Sequence, residues 1–142
     1  MISAGLWLFW DGSARRAADA AGAEALQAAR ESIPAILSYQ PATVAELPAA
    51  ARDRLTGRFL DEYTQHVTTQ VAPEAKRAGI TARAKVPAVA VVSAGSGHAV
   101  LLAYVDQSTQ AGSAAPTEDR ASVRVTMDKV GGRWLISGFD LM

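Results

Sequence analysis

Two histidines and fourteen carboxylates are the chain's main stock for acid–base or metal chemistry. Neither His66 nor His98 can hold a metal ion without carboxylate ligands, and no helical or strand spacing in the sequence reads as supplying them. His66 falls beside the apolar stripe of a helix, near Glu62 and Tyr63. It reads either as a half-solvated flank residue or as a general base at the mouth of a helix–sheet pocket. His98 opens a strand beside a glycine turn and reads as exposed. The carboxylates nearest the expected core are Asp61, Glu62, Asp106 and Asp140. An acid–base pair needs two of them in one pocket that drives their pKa values apart. Asp61 and Glu62 are adjacent on a helix, so they point about 100° from each other and do not make such a pair. No catalytic, cofactor-binding or metal-ligating residue is assigned, and the expectation is a protein that is not an enzyme.

The usual mechanistic motifs are missing. There is no GxGxxG, GxxxxGK[ST], HExxH or GxSxG pattern and no EF-hand loop. Gly95-Ser96-Gly97 joins two strands, and no helix N-terminus follows it to complete an anion site. The chain has no cysteine, which excludes disulfides, thiolate metal sites and cysteine nucleophiles. Lys+Arg and Asp+Glu both number 14. A protein that grips nucleic acid through its backbone normally carries a basic excess, so no nucleic-acid partner is expected.

The elements that would position these residues come in two blocks. At 142 residues and 49% hydrophobic composition the chain suits one domain with a substantial core. Ser13–Leu37 is Ala-rich and predicts a long helix, with Leu26, Ala29, Ile33 and Leu37 on one stripe and a kink at Pro34. Thr43-Val44-Ala45-Glu46 fits a capping box, with Pro48 in the first turn of a short second helix. Gly57 separates that helix from the next, with Thr56 as its N-cap. Phe59, Tyr63, Val67 and Val71 then recur every four residues, Lys76 and Arg77 complement the helix dipole, and Gly79 takes the C′ position. Pro73 is expected to bend the last turns.

Everything after Gly79 reads as strands. Thr81–Ser93 is the first, with Pro87 allowed only on an edge or at a bulge. Ala94–Gly97 makes the turn into His98–Thr109, whose alternate residues are apolar on both faces and predict a strand covered on both sides. Gln110–Asp119 reads as a polar loop. Ala121–Asp140 closes the chain as a hairpin: Val123, Val125 and Met127 alternate with polar residues, Gly131-Gly132 turns, and Trp134–Ser137 returns. Trp134 is expected to plug the sheet against a helix. Helices followed by four antiparallel strands make an α+β domain over residues 11–142.

Met1–Trp10, MISAGLWLFW, stands apart as an almost wholly apolar run. A spanning helix needs about 20 apolar residues, so the run is about half a span. It lacks the basic region and small-residue cleavage site of a signal peptide. It reads as the end of a truncated membrane helix, as an interfacial anchor, or as a helix packed on the domain; as an anchor its residues are Leu6, Trp7, Leu8, Phe9 and Trp10. Arg15 and Arg16, just beyond it, by themselves favour a cytoplasmic domain.

Three stretches in order carry a family resemblance: Arg54–Tyr63 (RLTGRFLDEY), Val71–Lys76 (VAPEAK) and Arg133–Gly138 (RWLISG). With Ile36–Tyr39, Val91–Ala94 and Val123–Met127, they make the chain from about Arg30 to Asp140 resemble the Mce-associated membrane proteins of mycobacteria and related actinobacteria. The resemblance implies a single-pass N-terminal anchor at the cell membrane, with an extracytoplasmic domain built as a nuclear transport factor 2-like, cystatin-like cone. It further implies a non-catalytic accessory or scaffold role with the Mce complexes that import lipid through the cell envelope. Those complex proteins, the membrane and a lipid are the implied partners, and no cofactor is implied. Gln40-Pro41 departs from the acidic-aromatic pair usual there, and the family carries no agreed active site to transfer. The same cone hosts isomerases and cyclases, so the alternative is a small enzyme acting on an apolar molecule.

Overall fold

The computed structural model describes the backbone of residues 2–142 and the side chains of residues 16–142. The candidate anchor side chains Leu6, Trp7, Leu8, Phe9 and Trp10 therefore lie outside the described residues. Helix α1 spans Ile2–Leu37. Among the described residues no helix is long and apolar enough to cross a membrane. The face that α1 buries is small toward its N-terminal half and larger toward its end: Ala21, Ala25, Ala29 and Ile33 recur every four positions, with Gly22, Ser32 and Ile36 beside them. Of the expected stripe Leu26, Ala29, Ile33 and Leu37, Ala29 and Ile33 are fully buried, whereas Leu26 and Leu37 only flank the core. Small residues win the centre because the helix lies close on the sheet. A Cβ added at Gly22 would stand 3.4 Å from the Val91 side chain and from Ala94 Cβ. Pro34 does not end α1, since it falls in the last turn, where little of the helix remains to be broken.

The chain then passes through a 3₁₀ turn, Val44–Glu46, into a five-residue helix α2, Leu47–Ala51. Thr43 makes no side-chain capping bond, so the capping-box reading does not hold. Thr56 likewise precedes α3 (Gly57–His66) in extended backbone without a side-chain cap, and Gly57 turns the chain with φ 66°. The expected single helix after Gly57 is three pieces in one rod: α3, a π-turn over Val67–Val71, and α4 over Ala72–Ala78. Pro73 accounts for the wider turn. It cannot donate to the Thr69 carbonyl, and its ring would strike that oxygen in a regular α-turn. Gly79 ends α4 in the left-handed conformation, φ 66°, ψ 44°.

Strands β1 (Ile80–Ala94), β2 (His98–Ala111), β3 (Thr117–Val130) and β4 (Arg133–Leu141) form one antiparallel meander in the order β1-β2-β3-β4. This is the α+β architecture expected, with the helices packed on a curved four-stranded antiparallel sheet. Register is pinned by alternation: Leu101 faces Val125, Ala103 faces Val123 and Met127 faces Ile136, all buried. Gly131 and Gly132 both have positive φ, as a two-residue turn requires. The reading of Gln110–Asp119 as a loop is corrected. β2 and β3 stay paired out to Thr109–Thr117, leaving only residues 112–116 as the connection. That end of the ribbon is largely exposed, so its sequence carries no apolar face and looks like a loop.

The outer face of β2 is not covered as expected. Leu101, Ala103 and Val105 are buried, but Tyr104 on the opposite face is 54% exposed. Both sheet edges meet the chain that crosses them. Tyr39 exchanges two backbone bonds with Ala82 of β1, each 2.9 Å. On β4, Ile136 donates to Arg54 and accepts from Thr56, again at 2.9 Å. Pro87 sits where it must, on the edge strand and within a register shift between Lys85 and Ala88. Trp134 is 7% exposed, and its indole N–H donates to Glu24 of α1 at 3.1 Å, so it does lock sheet to helix.

Candidate functional site

The four-residue repeat on the α3–α4 rod and the two-residue repeat on the sheet meet at one end of the core, and they do not fill it. A cavity of about 420 Å³ opens there between the last turn of α1, α2, the rod, β2 and β4. Its wall is Ile36, Leu37, Leu47, Phe59, Val67, Val71 and Phe139. Phe59 stacks on Phe139 with ring centres 6.0 Å apart and tilts against Tyr63 at 6.2 Å. The π-turn lies within this wall, contributing both Val67 and Val71.

The polar groups inside serve the fold. Tyr63 donates its hydroxyl to the Ile36 carbonyl at 2.7 Å, and Gln107 donates its amide to the Leu37 carbonyl at 2.9 Å. These are C-terminal carbonyls of α1, which no intrahelical donor can reach. Burial pushes the Tyr63 phenol well above its usual pKa, so it stays protonated and keeps donating.

The sequence candidates scatter. Glu62 and His66 lie one turn apart on α3, and both line the cavity at its exposed rim. Asp61 faces elsewhere, beside Arg52, Thr64 and Gln65. Asp106 is on the far side of the sheet, 3.6 Å from Arg120. Asp140 is exposed opposite Arg124. His98, at the other end of β2, places Nδ1 2.8 Å from the Asp128 carboxylate. The Ser137 hydroxyl and the His98 ring together hold the Asp128 carboxyl below its usual range. This is no nucleophile relay: the Ser137 hydroxyl donates to the Thr126 carbonyl at 3.3 Å and is not aligned on the imidazole. Among the described residues no three His, Cys, Asp or Glu side chains gather as metal ligands.

The i, i+4 spacing of Glu62 and His66 made their nearness legible, and the expected place of His66 at the mouth of a helix–sheet pocket matches its position on the rim. Gln107 and Phe139 were missed. Strand alternation puts Gln107 on the same side as Val105, and Phe139 on the same side as Val125, its partner across the ladder.

No protein-family model matches the chain. Among solved structures, the fold is similar to an IcmL-like type IV secretion system protein of Legionella pneumophila. That match has a TM-score of 0.73 at 8% identity, covering 84% of this chain and 91% of that one. The periplasmic domain of DotI is similar at TM-score 0.70 and 14% identity, covering 82% and 91%. At such identities the likeness is one of fold: helices on a curved four-stranded sheet, the nuclear transport factor 2-like cone. Sequence kinship goes further. The outer membrane protein Rv1973 of Mycobacterium tuberculosis is 47% identical over 137 residues, 96% of this chain and 85% of that protein. The chain therefore belongs to the family of the mycobacterial outer membrane protein Rv1973.

Proposed function

We propose that this protein is a non-catalytic accessory or scaffold protein of the cell envelope, working beside an Mce lipid-import complex. Its domain stands outside the cytoplasm, and Leu6, Trp7, Leu8, Phe9 and Trp10 hold it to the membrane. The observation that carries the reading is the 47% identity to a protein named for the outer membrane. The cone's likeness to secretion-system and periplasmic domains supports it at the level of fold. Its partners are the proteins of the importer and the membrane, without nucleic acid, consistent with balanced charge.

The test is affinity purification of the tagged protein from native membranes, with protease accessibility measured on intact cells. Co-purified Mce proteins and a domain cleaved from outside are expected. A protease-protected protein in the cytosol would overturn the proposal. The alternative of a small isomerase- or cyclase-like enzyme has one observation in its favour, the placing of Glu62 and His66 on the cavity rim.

A further inference from the structure

We infer that the cavity between α1, the α3–α4 rod and β4 binds one linear amphiphile: an alkyl chain inside, with a hydroxyl group at the Glu62–His66 rim. The inference goes beyond the accessory role and does not rest on it. The volume, about 420 Å³, lies in the range of small-molecule sites, and seven apolar side chains form the wall. Tyr63 and Gln107 are turned toward the carbonyls of α1, so their polar atoms serve the helix end and leave the wall apolar. A π-turn forms part of that wall, and such turns within helices recur at functional sites.

The rim selects the head group. Glu62 and His66 are the ionisable groups lining the cavity besides its two tyrosines, and both are exposed. An ionised carboxylate only accepts hydrogen bonds, whereas an imidazole N–H donates. A hydroxyl matches both, donating to Glu62 and accepting from His66. An alkyl carboxylate would bring its charge against Glu62; an ammonium can donate to Glu62 but has no lone pair to accept from the imidazole N–H.

The purified protein is titrated with decanol, decanoate and decylammonium by calorimetry and by displacement of nile red. Decanol is expected to bind and to displace the dye, with decanoate at least tenfold weaker. Octanol should bind roughly tenfold more weakly than decanol, as loss of two buried methylenes requires. Val71→Trp and, as a milder filling, Leu37→Phe should each reduce decanol binding at least tenfold, with thermal unfolding showing which of them is folded. Glu62→Gln keeps an acceptor oxygen but loses its charge, so it should weaken decanol only about two- to threefold, yet strengthen decanoate by removing a like charge. Absence of decanol binding would overturn the site, as would binding that a folded, filled variant leaves unchanged. Decanoate or decylammonium binding more tightly than decanol would overturn the head-group assignment.

Discussion

Trp134 and Tyr63 do at the level of single residues what the helix–sheet contact requires. Trp134 fills the space between β4 and α1, donates to Glu24, and carries Lys129 over its ring at 6.0 Å. The Trp134 and Lys129 bonds hold the Glu24 carboxyl below its usual pKa, so that carboxylate is charged at neutral pH. Trp134→Ala should cost about 3–5 kcal/mol in urea unfolding, the range for a large buried aromatic. Trp134→Phe keeps most of the packing and should lose only ~1 kcal/mol with the indole N–H. Equal losses for the two would mean that packing contributes nothing. Tyr63 makes a pH prediction. Its folded pKa is raised by burial, so the folded state holds a proton that the unfolded state releases above about pH 10. Its contribution is therefore complete below that pH and declines as pH rises. Unfolding curves up to about pH 11 should show a steeper alkaline loss for the native chain than for Tyr63→Phe. Parallel pH profiles would contradict the buried phenol.

Among the elements, α1 and the rod are shaped by residues that make room. α1 approaches β1 closely because Ala21, Gly22, Ala25 and Ala29 face it, so Gly22→Val should overpack the contact with Val91 and Ala94. The expected loss is about 1–3 kcal/mol. Gly79→Ala isolates a different effect. A Cβ there would meet Gly112 backbone only at 3.8 Å, an ordinary contact, so the cost is the left-handed backbone alone, about 1–2 kcal/mol. Thermal unfolding of both variants checks them, and a neutral Gly79→Ala would show that the helix end refolds into another conformation.

For the whole molecule, the described core runs from Ala21 of α1 to Ile136 of β4. Under the anchor proposal, a chain starting at Asp11 is expected to keep its melting temperature within a few degrees and to lose binding to anionic vesicles in co-sedimentation. A fall of about 10 °C or more would mean that Met1–Trp10 packs on the domain, and the anchor proposal would be withdrawn. The meander also predicts where protection from hydrogen exchange is greatest. β2 and β3 are paired on both sides and carry Leu101, Val123, Val125 and Met127, all fully buried.

Much of this architecture was legible because it depends on local periodicity. Alternation from Val123 to Met127, the Gly131-Gly132 turn, the four-residue repeat from Phe59 to Val71 and the stop at Gly79 are local requirements of strand, hairpin and helix, and each appears in the structure. What failed locally failed for tertiary reasons. Leu26 and Leu37 were placed at the centre of the α1 face because they are the larger apolar residues, yet close approach to β1 selected alanines and a glycine. Gln110–Asp119 lost its strand signature because both faces of that ribbon are open to water, so nothing in its polarity alternates. The cavity was beyond reach for a similar reason. Its residues come from α1, α2, α3, the π-turn, β2 and β4, elements spread from Ile36 to Phe139. Sequence determines which way each of these side chains points on its own element. Only the packing of helices across a curved sheet decides that the ends of those elements surround a space and leave it open.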